Sequence, residues 1–211
     1  MNKTDSVSAE GFTLDLSRRV LEPEEVISGE EAVAYANRRD NRFLSFKLIA
    51  FDIVEKLSLT STSNVLEVAC GTGQLAYELQ QLIGCSITAT DGSPELISVA
   101  RERYEGPGLE FRAENLCGHS GILGYDALVC KDSFHHFFES KWAIAEMVGL
   151  VKPGGKIYIF DLCRDALVEE VECRRSAIKS SHEQMRSLRS LNASLSVAEF
   201  KAACEGFEVS A

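Results

Sequence analysis

The sequence predicts an α/β protein with a doubly wound, mostly parallel sheet and helices on both of its faces. Short apolar runs alternate with segments of helical periodicity between residues 64 and 161, and such alternation is typical of parallel strands joined by crossover helices. A glycine-rich turn follows the first apolar run and opens a helical segment. The length of 211 residues favours a single domain over 1–211.

The strands and helices of this alternating core are bounded by changes in periodicity. The strands are predicted at 64–69, 86–90, 109–113, 127–131 and 156–161, and the helices at 74–83, 94–104 and 141–151. Ligands of such sheets bind outside the carboxyl ends of the strands, where the strand order reverses. Polar or charged residues stand at or just past those ends, namely Glu67, Asp91, Asn115, Lys131 and Asp161.

The residues before the core are predicted to form a helical lid at 23–57, after a loose polar segment at 1–10. Ser28 has the position of a helix cap, and Glu31 follows three residues later as the second half of a capping box. Apolar residues then recur at roughly helical spacing as far as Leu57.

The turn after the first strand has the features of a nucleotide site. Gly71 and Gly73 lack a Cβ and tolerate positive φ, so a ligand can approach the backbone closely. The first N–H groups of the following helix face such a ligand. Asp91 follows at the spacing of about 20 residues expected of a ribose-binding carboxylate. A dinucleotide turn has a third glycine, but this chain has Ala76 in that position.

The stretch from Glu67 to Gly73 has the form E-x-x-x-G-x-G, which resembles the first motif of the class I S-adenosylmethionine-dependent methyltransferases. Later stretches resemble further motifs of that family in the same order. They lie at 90–96, at 125–130 with 134–137, and at 150–159, the last containing the Lys-Pro-Gly-Gly turn. The resemblance covers roughly residues 65–161. It implies a Rossmann-like fold, S-adenosylmethionine as cofactor and S-adenosylhomocysteine as product.

The resemblance also implies a set of cofactor contacts. Glu67 faces the ammonium group of the cofactor, directly or through water, or else it ties down the glycine loop. Asp91 accepts hydrogen bonds from both ribose hydroxyls, because a carboxylate offers two acceptor oxygens. Asn115 meets the adenine amino group, although a second alignment gives this role to Glu114. The residues expected at the cofactor are Tyr35, Glu67, Ala69, Cys70, Gly71, Gly73, Asp91, Gly92, Asn115, Leu116 and Lys131.

Lys131 and Tyr35 also have alternative interpretations, and Ala69 departs from the family pattern. Ala69 replaces a glycine common in the family, and we expect the added Cβ to be tolerated. Lys131 is expected to pair with the cofactor carboxylate, to bind an acidic substrate, or to form a salt bridge with Asp132. Tyr35 is expected to close over the sulfonium, since an aromatic face attracts a cation, or to make an ordinary amphipathic contact.

His135 and His136 are the candidates for a general base. A histidine titrates near neutral pH, which suits the removal of a proton from an attacking hydroxyl or amine. The same pair also serves as packing in some family members. Asp132 and Asp161 follow two strand ends, but two carboxylates without further oxygen ligands do not make a metal site. We therefore predict no metal.

The composition excludes several classes of partner. The formal net charge of −10 argues against sequence-independent nucleic-acid binding and against docking on anionic membranes. Seven cysteines at irregular spacing do not resemble a disulfide framework, and a reducing cytoplasm is the expected location. No signal peptide and no apolar run of transmembrane length is visible in the sequence.

The segment after the core is predicted to be helical and then to begin a strand. A helix capped by Ser196 and Glu199 is expected to end near Gly206, and residues 207–211 are expected to start a strand. Members of the family usually continue through a final strand pair, so the last strand is expected to be missing. An open apolar edge invites pairing, and we expect self-association as a homodimer to cover it.

The sequence thus predicts methyl transfer to an O, N, S or C atom of a small-molecule acceptor. The acceptor pocket is expected from residues 35–46, from the loop at 131–138 and from the helices after Asp161. Two alternatives stay open. One keeps the fold and cofactor but has a protein substrate or another group transfer, and the other is a non-catalytic S-adenosylmethionine-binding subunit.

Overall fold

The computed structural model describes residues 7–9, 12–22, 27, 32, 34, 35, 37, 43–116 and 124–209. Within these ranges the strands are β1 (Ser8–Ala9), β2 (Phe12–Thr13), β3 (Asn64–Val68), β4 (Ser86–Asp91), β5 (Leu109–Ala113), β6 (Tyr125–Lys131) and β7 (Val151–Phe160). The helices are α1 (Phe43–Leu57), α2 (Gln74–Ile83), α3 (Pro94–Arg103), α4 (Ser140–Leu150), α5 (Val168–Ser176), α6 (Ser181–Ala193) and α7 (Val197–Ala203), with a 3-10 turn at Phe134–His136.

The chain divides into two compact units. The smaller comprises Met1–Glu25, Asp132–Lys141 and Asp161–Ala211, and the larger comprises Val26–Lys131 and Trp142–Phe160. No helix within the described ranges combines the length and the apolar composition needed to cross a membrane.

The larger unit contains a parallel sheet with the strand order β5-β4-β3-β6-β7. Val65 pairs with Ile87 of β4 on one side and with Ala127 of β6 on the other. The chain thus moves outward from β3 to β5 and then crosses back to β6, so the strand order reverses beside β3. This arrangement confirms the predicted doubly wound α/β fold.

The core of the larger unit follows from the apolar character of its central strands. Val65, Leu66 and Leu128 are fully buried, as expected of parallel strands that are covered on both faces. Helices α1 and α2 pack in one cluster with Val65 through Ile53 and Leu79. The only charged side chain within β3 is Glu67, and it is buried with its apolar neighbours.

Local signals in the sequence define the helix ends of the core. Helix α2 ends at Gly84, which has φ +68° and donates its N–H to the carbonyl of Gln80 at 2.8 Å, so a left-handed cap closes the helix. Helix α3 begins after Ser93, whose hydroxyl accepts the N–H of Leu96 at 3.2 Å. Pro94 then occupies the first helical position, as predicted.

Strand β7 is longer than the sequence predicts, since it begins at Val151 rather than at 156. Val151 pairs with Tyr125, and the regular register resumes where Lys156 pairs with Ala127, so an irregularity separates the two pairs. Pro153 lacks an N–H and Gly154 has φ +79°, features that indicate a turn in sequence. The sheet accommodates them as a bulge, which explains the difference.

The smaller unit combines the antiparallel pair β1 and β2 with helices α5, α6 and α7. Val7, Val171 and Leu188 belong to its apolar cluster. The buried guanidinium of Arg164 donates to the carbonyl of Leu16 at 2.8 Å and contacts the carboxylate of Glu199. Because the donors of Arg164 find carbonyl and carboxylate acceptors, its burial is compensated.

The end of the chain differs from the prediction. Ser196 and Glu199 form the predicted capping box of α7, but the helix ends at Ala203, and Gly206 lies beyond it with φ +97°. The N–H of Phe207 bonds back to the carbonyl of Cys204 at 3.0 Å, so the chain turns there. The described residues 207–209 form no strand. Residues 210–211 and the proposed capping box at Ser28 and Glu31 lie outside the described residues.

Candidate cofactor site and histidine cluster

The glycine-rich turn after β3 has an unusual backbone conformation. Ala69, Gly71 and Gly73 have φ values of 53°, 58° and 76°, all in the left-handed region. Glycine adopts this region without steric cost, whereas an alanine is strained there. The loop therefore accommodates the Cβ of Ala69, as predicted, but the backbone of Ala69 is strained. The other two left-handed positions of the loop are glycines.

Gly73 is required by packing as well as by its backbone. A Cβ at this position would lie 2.4 Å from Cε1 of Phe111 and 3.0 Å from Cβ of Ala100. The turn therefore packs directly against β5 and α3. A larger residue at Gly73 would displace the ring of Phe111 and, with it, the start of α2.

Asp91 at the end of β4 holds the turn in place. Its Oδ2 accepts the N–H of Gly71 at 2.8 Å, and its Oδ1 accepts the N–H of Ser93 at 2.9 Å. The N–H of Cys70 donates to the carbonyl of Thr90 at 2.9 Å, next to this contact. Burial raises the pKa of Asp91, while the two backbone N–H groups oppose that shift. The structure thus brings Gly71 and Asp91 together, as the motif spacing predicts.

Glu67 is a buried carboxylate with an unsatisfied oxygen. Its residue is 3% exposed, and its Oε2 has no hydrogen-bond partner among the described residues. Burial raises the pKa of Glu67 to about 8, against the opposing effects of Lys131 and the backbone N–H of Ala76. A buried polar atom without a partner is costly. This oxygen lies beside the glycine turn, where a positively charged or hydrogen-bonding ligand group could satisfy it.

Lys131, at the end of β6, lies near two aromatic rings. Its Nζ is 4.8 Å from the ring centroid of Phe46 and 5.7 Å from that of Phe160. Its positive charge also lowers the pKa of Glu67. Lys131 therefore contributes to the electrostatics of the predicted cofactor residues, in addition to the roles considered from sequence.

The remaining predicted cofactor residues lie on the same unit. The side-chain oxygen of Asn115 occupies the space next to Gly92, since a Cβ there would lie 2.2 Å from it. Leu116 is buried. The burial of Cys70 raises the pKa of its own thiol well above the ordinary value. Tyr35 lies beside the turn, since a Cβ at Gly71 would be 3.8 Å from its Cε1.

The two candidate catalytic histidines belong to the smaller unit, where the 3-10 turn carries them. His135 is buried, and its Nδ1 is 2.8 Å from Oδ1 of Asp161. The backbone N–H of His135 donates to Oδ2 of the same carboxylate at 2.7 Å. Asp161 therefore fixes both the backbone and the ring of His135. With Nδ1–H directed at the carboxylate, the lone pair is on Nε2, which has no hydrogen-bond partner among the described residues.

His136 and Glu22 complete this cluster. The imidazole rings of His135 and His136 have their centroids 4.1 Å apart. Oε2 of Glu22 is 3.8 Å from Nε2 of His135 and 3.7 Å from Nδ1 of His136. Desolvation of its ring lowers the pKa of His136 to about 4, with a further contribution from His135, while 45% of the side chain stays exposed.

Arg19 positions the histidine turn from outside. Its guanidinium donates to the carbonyls of His135 at 3.2 Å and Phe137 at 2.9 Å, and to the hydroxyl of Ser140 at 3.0 Å. Neither Arg19 nor Glu22 was predicted from the sequence to contact the histidines. They precede the histidines by more than a hundred residues, as the 116 positions between Arg19 and His135 illustrate. No local motif marks either one.

The sequence model of a methyltransferase domain family matches residues 65–155. A ubiquinone biosynthesis O-methyltransferase from Xanthomonas axonopodis pv. citri is 32% identical over 106 residues, which are 48% of this chain and 44% of that protein. A demethylmenaquinone methyltransferase from Thermus thermophilus is 29% identical over 101 residues, 46% of each chain. The chain thus matches less than half of the length of these curated relatives.

A solved structure extends the fold match beyond the core. The plantazolicin methyltransferase BpumL, solved with a pentazolic desmethylPZN analogue and SAH, superposes with a TM-score of 0.67. The match covers 83% of this chain and 68% of that one at 21% sequence identity, so it supports the fold alone. Through its motifs, its matched domain at residues 65–155 and its sheet topology, the chain is similar to the class I S-adenosylmethionine-dependent methyltransferases.

Proposed function

We propose that the chain binds S-adenosylmethionine and transfers its methyl group to a nucleophilic O, N, S or C atom of a small molecule, leaving S-adenosylhomocysteine. The observation that carries this proposal is the unsatisfied carboxylate oxygen of Glu67 beside the glycine turn. The cofactor has an ammonium group, which fits a buried carboxylate that lacks a partner. The match of residues 65–155 to a methyltransferase domain family supports the same cofactor.

The other cofactor contacts follow from residues that surround the turn. Asp91 uses one lone pair of each oxygen for the N–H groups of Gly71 and Ser93, so each oxygen keeps acceptor capacity for a ribose hydroxyl. Asn115 beside Gly92 supports binding of the adenine end. Tyr35, next to Gly71, offers an aromatic ring to a cation.

When bound, the cofactor supplies a methyl group that is activated by the positive charge of its sulfonium. The chain's own task is therefore mainly orientation, and holding reacting groups in near-attack geometry can supply about 7–11 kcal/mol. Ala69, Gly71 and Gly73 fix the backbone of the turn in its left-handed conformation. Such pre-organisation limits the entropy lost when the cofactor binds.

For the acceptor, we propose that His135 and His136 handle the proton of the attacking group. The contact of His135 Nδ1 with Asp161 sets the tautomer and leaves Nε2 for this proton. This arrangement of a histidine oriented by a carboxylate suits a general base. A small molecule is favoured over a macromolecule because the relatives include a ubiquinone biosynthesis O-methyltransferase and a demethylmenaquinone methyltransferase.

The proposal is tested with purified chain and S-adenosylmethionine labelled in its methyl group. Incubation with a panel of hydroxylated aromatic compounds, amines and thiols is expected to yield S-adenosylhomocysteine with at least one acceptor. Mass spectrometry then assigns the acceptor atom. Cofactor binding without product across the panel, and with protein acceptors included, would favour a non-catalytic subunit instead.

A further inference from the structure

Glu22, His135 and His136 form a three-donor cluster within the smaller unit. One donor atom from each residue lies within 4.8 Å of the other two. Two of the separations, from Oε2 of Glu22 to His135 Nε2 and to His136 Nδ1, are 3.8 and 3.7 Å. These distances are too long for hydrogen bonds. The three groups therefore converge without bonding to one another, while Oε2 of Glu22 accepts the hydroxyl of Ser190 at 3.1 Å.

The environment of His135 is that of a metal ligand. Its Nε2 atom is buried and has no hydrogen-bond partner among the described residues, so its lone pair is directed into the cluster. Its other ring nitrogen contacts Asp161 at 2.8 Å. Histidines that bind metals almost always donate their second ring N–H to a carboxylate or carbonyl, which fixes the ring and raises its basicity.

The distances are close to those of a bound ion. A zinc ion about 2.1 Å from each of three tetrahedral donors places the donor pairs about 3.4 Å apart. The two measured separations exceed this by a few tenths of an ångström. The donor atoms of the two histidines lie within 4.8 Å of each other, and the His136 side chain is 45% exposed, so its ring has room to turn.

The charges around the cluster are mixed, with two carboxylates and two guanidinium groups. The carboxylates of Glu22 and Asp161 lie on opposite sides of the His135 ring. Two guanidinium groups oppose them. Arg186 acts electrostatically on His136, and Arg19 donates to the backbone carbonyl of His135, where its charge is partly compensated by the carbonyl dipoles that it binds.

We propose that Glu22, His135 and His136 bind a divalent transition-metal ion, with Asp161 orienting His135. Two imidazoles and one carboxylate suit zinc, cobalt, nickel or ferrous iron better than magnesium, which prefers oxygen donors. Three protein ligands leave at least one coordination position open. From the sequence, only Asp132 and Asp161 were weighed as metal ligands, and no metal was predicted. The structure instead places Glu22, from a distant part of the chain, beside the two histidines.

A bound ion would change the role of the histidines as proton acceptors in the methyl transfer. This consequence rests on the proposed function. A nitrogen that ligates a metal no longer accepts a proton. An acceptor oxygen in the open position would instead lose its proton more readily, because a metal ion lowers the pKa of an oxygen bound to it.

The test is calorimetric titration of the metal-free chain with Zn²⁺ alone, repeated with Mg²⁺. We expect one Zn²⁺ per chain and no comparable Mg²⁺ binding. His136→Ala and Glu22→Gln should each weaken Zn²⁺ binding by more than about 100-fold, and Asp161→Asn by about 10- to 100-fold. The matched control is His182→Ala, because His182 is an exposed histidine of α6. It should leave the affinity unchanged.

A second readout separates this site from the cysteines. Co²⁺ bound by nitrogen and oxygen lacks the intense charge-transfer absorption of cobalt thiolates, so a spectrum without that band supports the cluster. Zn²⁺ binding that is absent, or unaffected by both Glu22→Gln and His136→Ala, would overturn the proposal. Because none of these measurements uses turnover, they stand whether or not the proposed methyl transfer is found.

Discussion

Asp91 accepts the backbone N–H of Gly71 at 2.8 Å, so the carboxylate predicted to bind a ribose also supports the glycine turn. The two residues belong to different parts of the motif, and parallel pairing of β3 with β4 brings them together. Loss of the Asp91 side chain therefore removes a ligand contact and a support of the loop at the same time.

Asp91→Ala is expected to weaken S-adenosylmethionine binding by about 1–3 kcal/mol, because charge-assisted hydrogen bonds are lost. Isothermal titration calorimetry measures the change. Asp126→Ala is the matched control: Asp126 also accepts a backbone N–H, from Asn64 at 2.8 Å, but near the amino ends of the strands. That variant should lose stability without losing affinity. Unchanged affinity in Asp91→Ala would remove Asp91 from the site.

Gly73→Ala is expected to destabilise the chain much more than Gly84→Ala. Both glycines have positive φ, at 76° and 68°, so both substitutions cost about 1 kcal/mol of backbone strain. Only at Gly73 would the new Cβ meet Phe111, at 2.4 Å, whereas nothing lies within 4 Å at Gly84. Overpacking adds about 1–3 kcal/mol. Urea denaturation measures the difference, and equal losses would contradict the packing of the turn.

Glu67→Gln is expected to change how stability depends on pH. The pKa of Glu67 is raised from 4.5 to about 8 by burial, so between these values the folded chain retains a proton that the unfolded chain releases. Stability should therefore fall as pH rises through this window, by up to about 1.4 kcal/mol per pH unit from this group. The variant should lose that part of the slope while Asp91, whose pKa is also raised, still contributes.

Cofactor binding should also release a proton at neutral pH. In the ligand-free chain, Glu67 keeps its proton below about pH 8. The ammonium group of the cofactor favours the ionised form of Glu67, so binding should drive that proton off. Calorimetry at pH 7 in buffers of different ionisation enthalpy measures the proton count. The expected release is up to one proton, reduced in Glu67→Gln. A buffer-independent heat would argue against an ammonium contact at Glu67.

His135→Ala and His136→Ala are expected to lower turnover by about 10²–10⁴-fold when the acceptor carries a proton, with cofactor affinity unchanged. His135 has the unsatisfied Nε2 and the contact with Asp161, so its loss should be the more severe. His182→Ala serves as the control. Steady-state kinetics with an identified acceptor provide the measurement, and wild-type rates in both variants would place proton transfer elsewhere.

The sequence predicts the fold well where its signals are local. The alternation of apolar strands and helices gives the parallel sheet, and Ser196 marks the start of α7 as the structure has it. The start of β7 was missed because a proline and a glycine inside a bulge indicate a turn in sequence.

The candidate site was likewise predicted where its signals are local and was not predicted where they depend on distant segments. Gly71 and Asp91 meet because their spacing belongs to one strand-turn-helix-strand unit. Glu22 and Arg19 could not be found, because their contacts with the histidine turn depend on tertiary packing between distant segments of the chain. Asp161 was identified only as a strand-end carboxylate, and its hydrogen bond with His135 became visible in the structure.

The most direct test of the central claim is titration of S-adenosylmethionine and S-adenosylhomocysteine into the purified chain, with NAD as a control. The glycine turn, Asp91 and the unsatisfied carboxylate of Glu67 predict that the first two ligands bind with micromolar affinity and that NAD does not. Binding of NAD in place of S-adenosylmethionine, or binding of S-adenosylmethionine that is unaffected by Glu67→Gln and Asp91→Ala, would contradict the assignment.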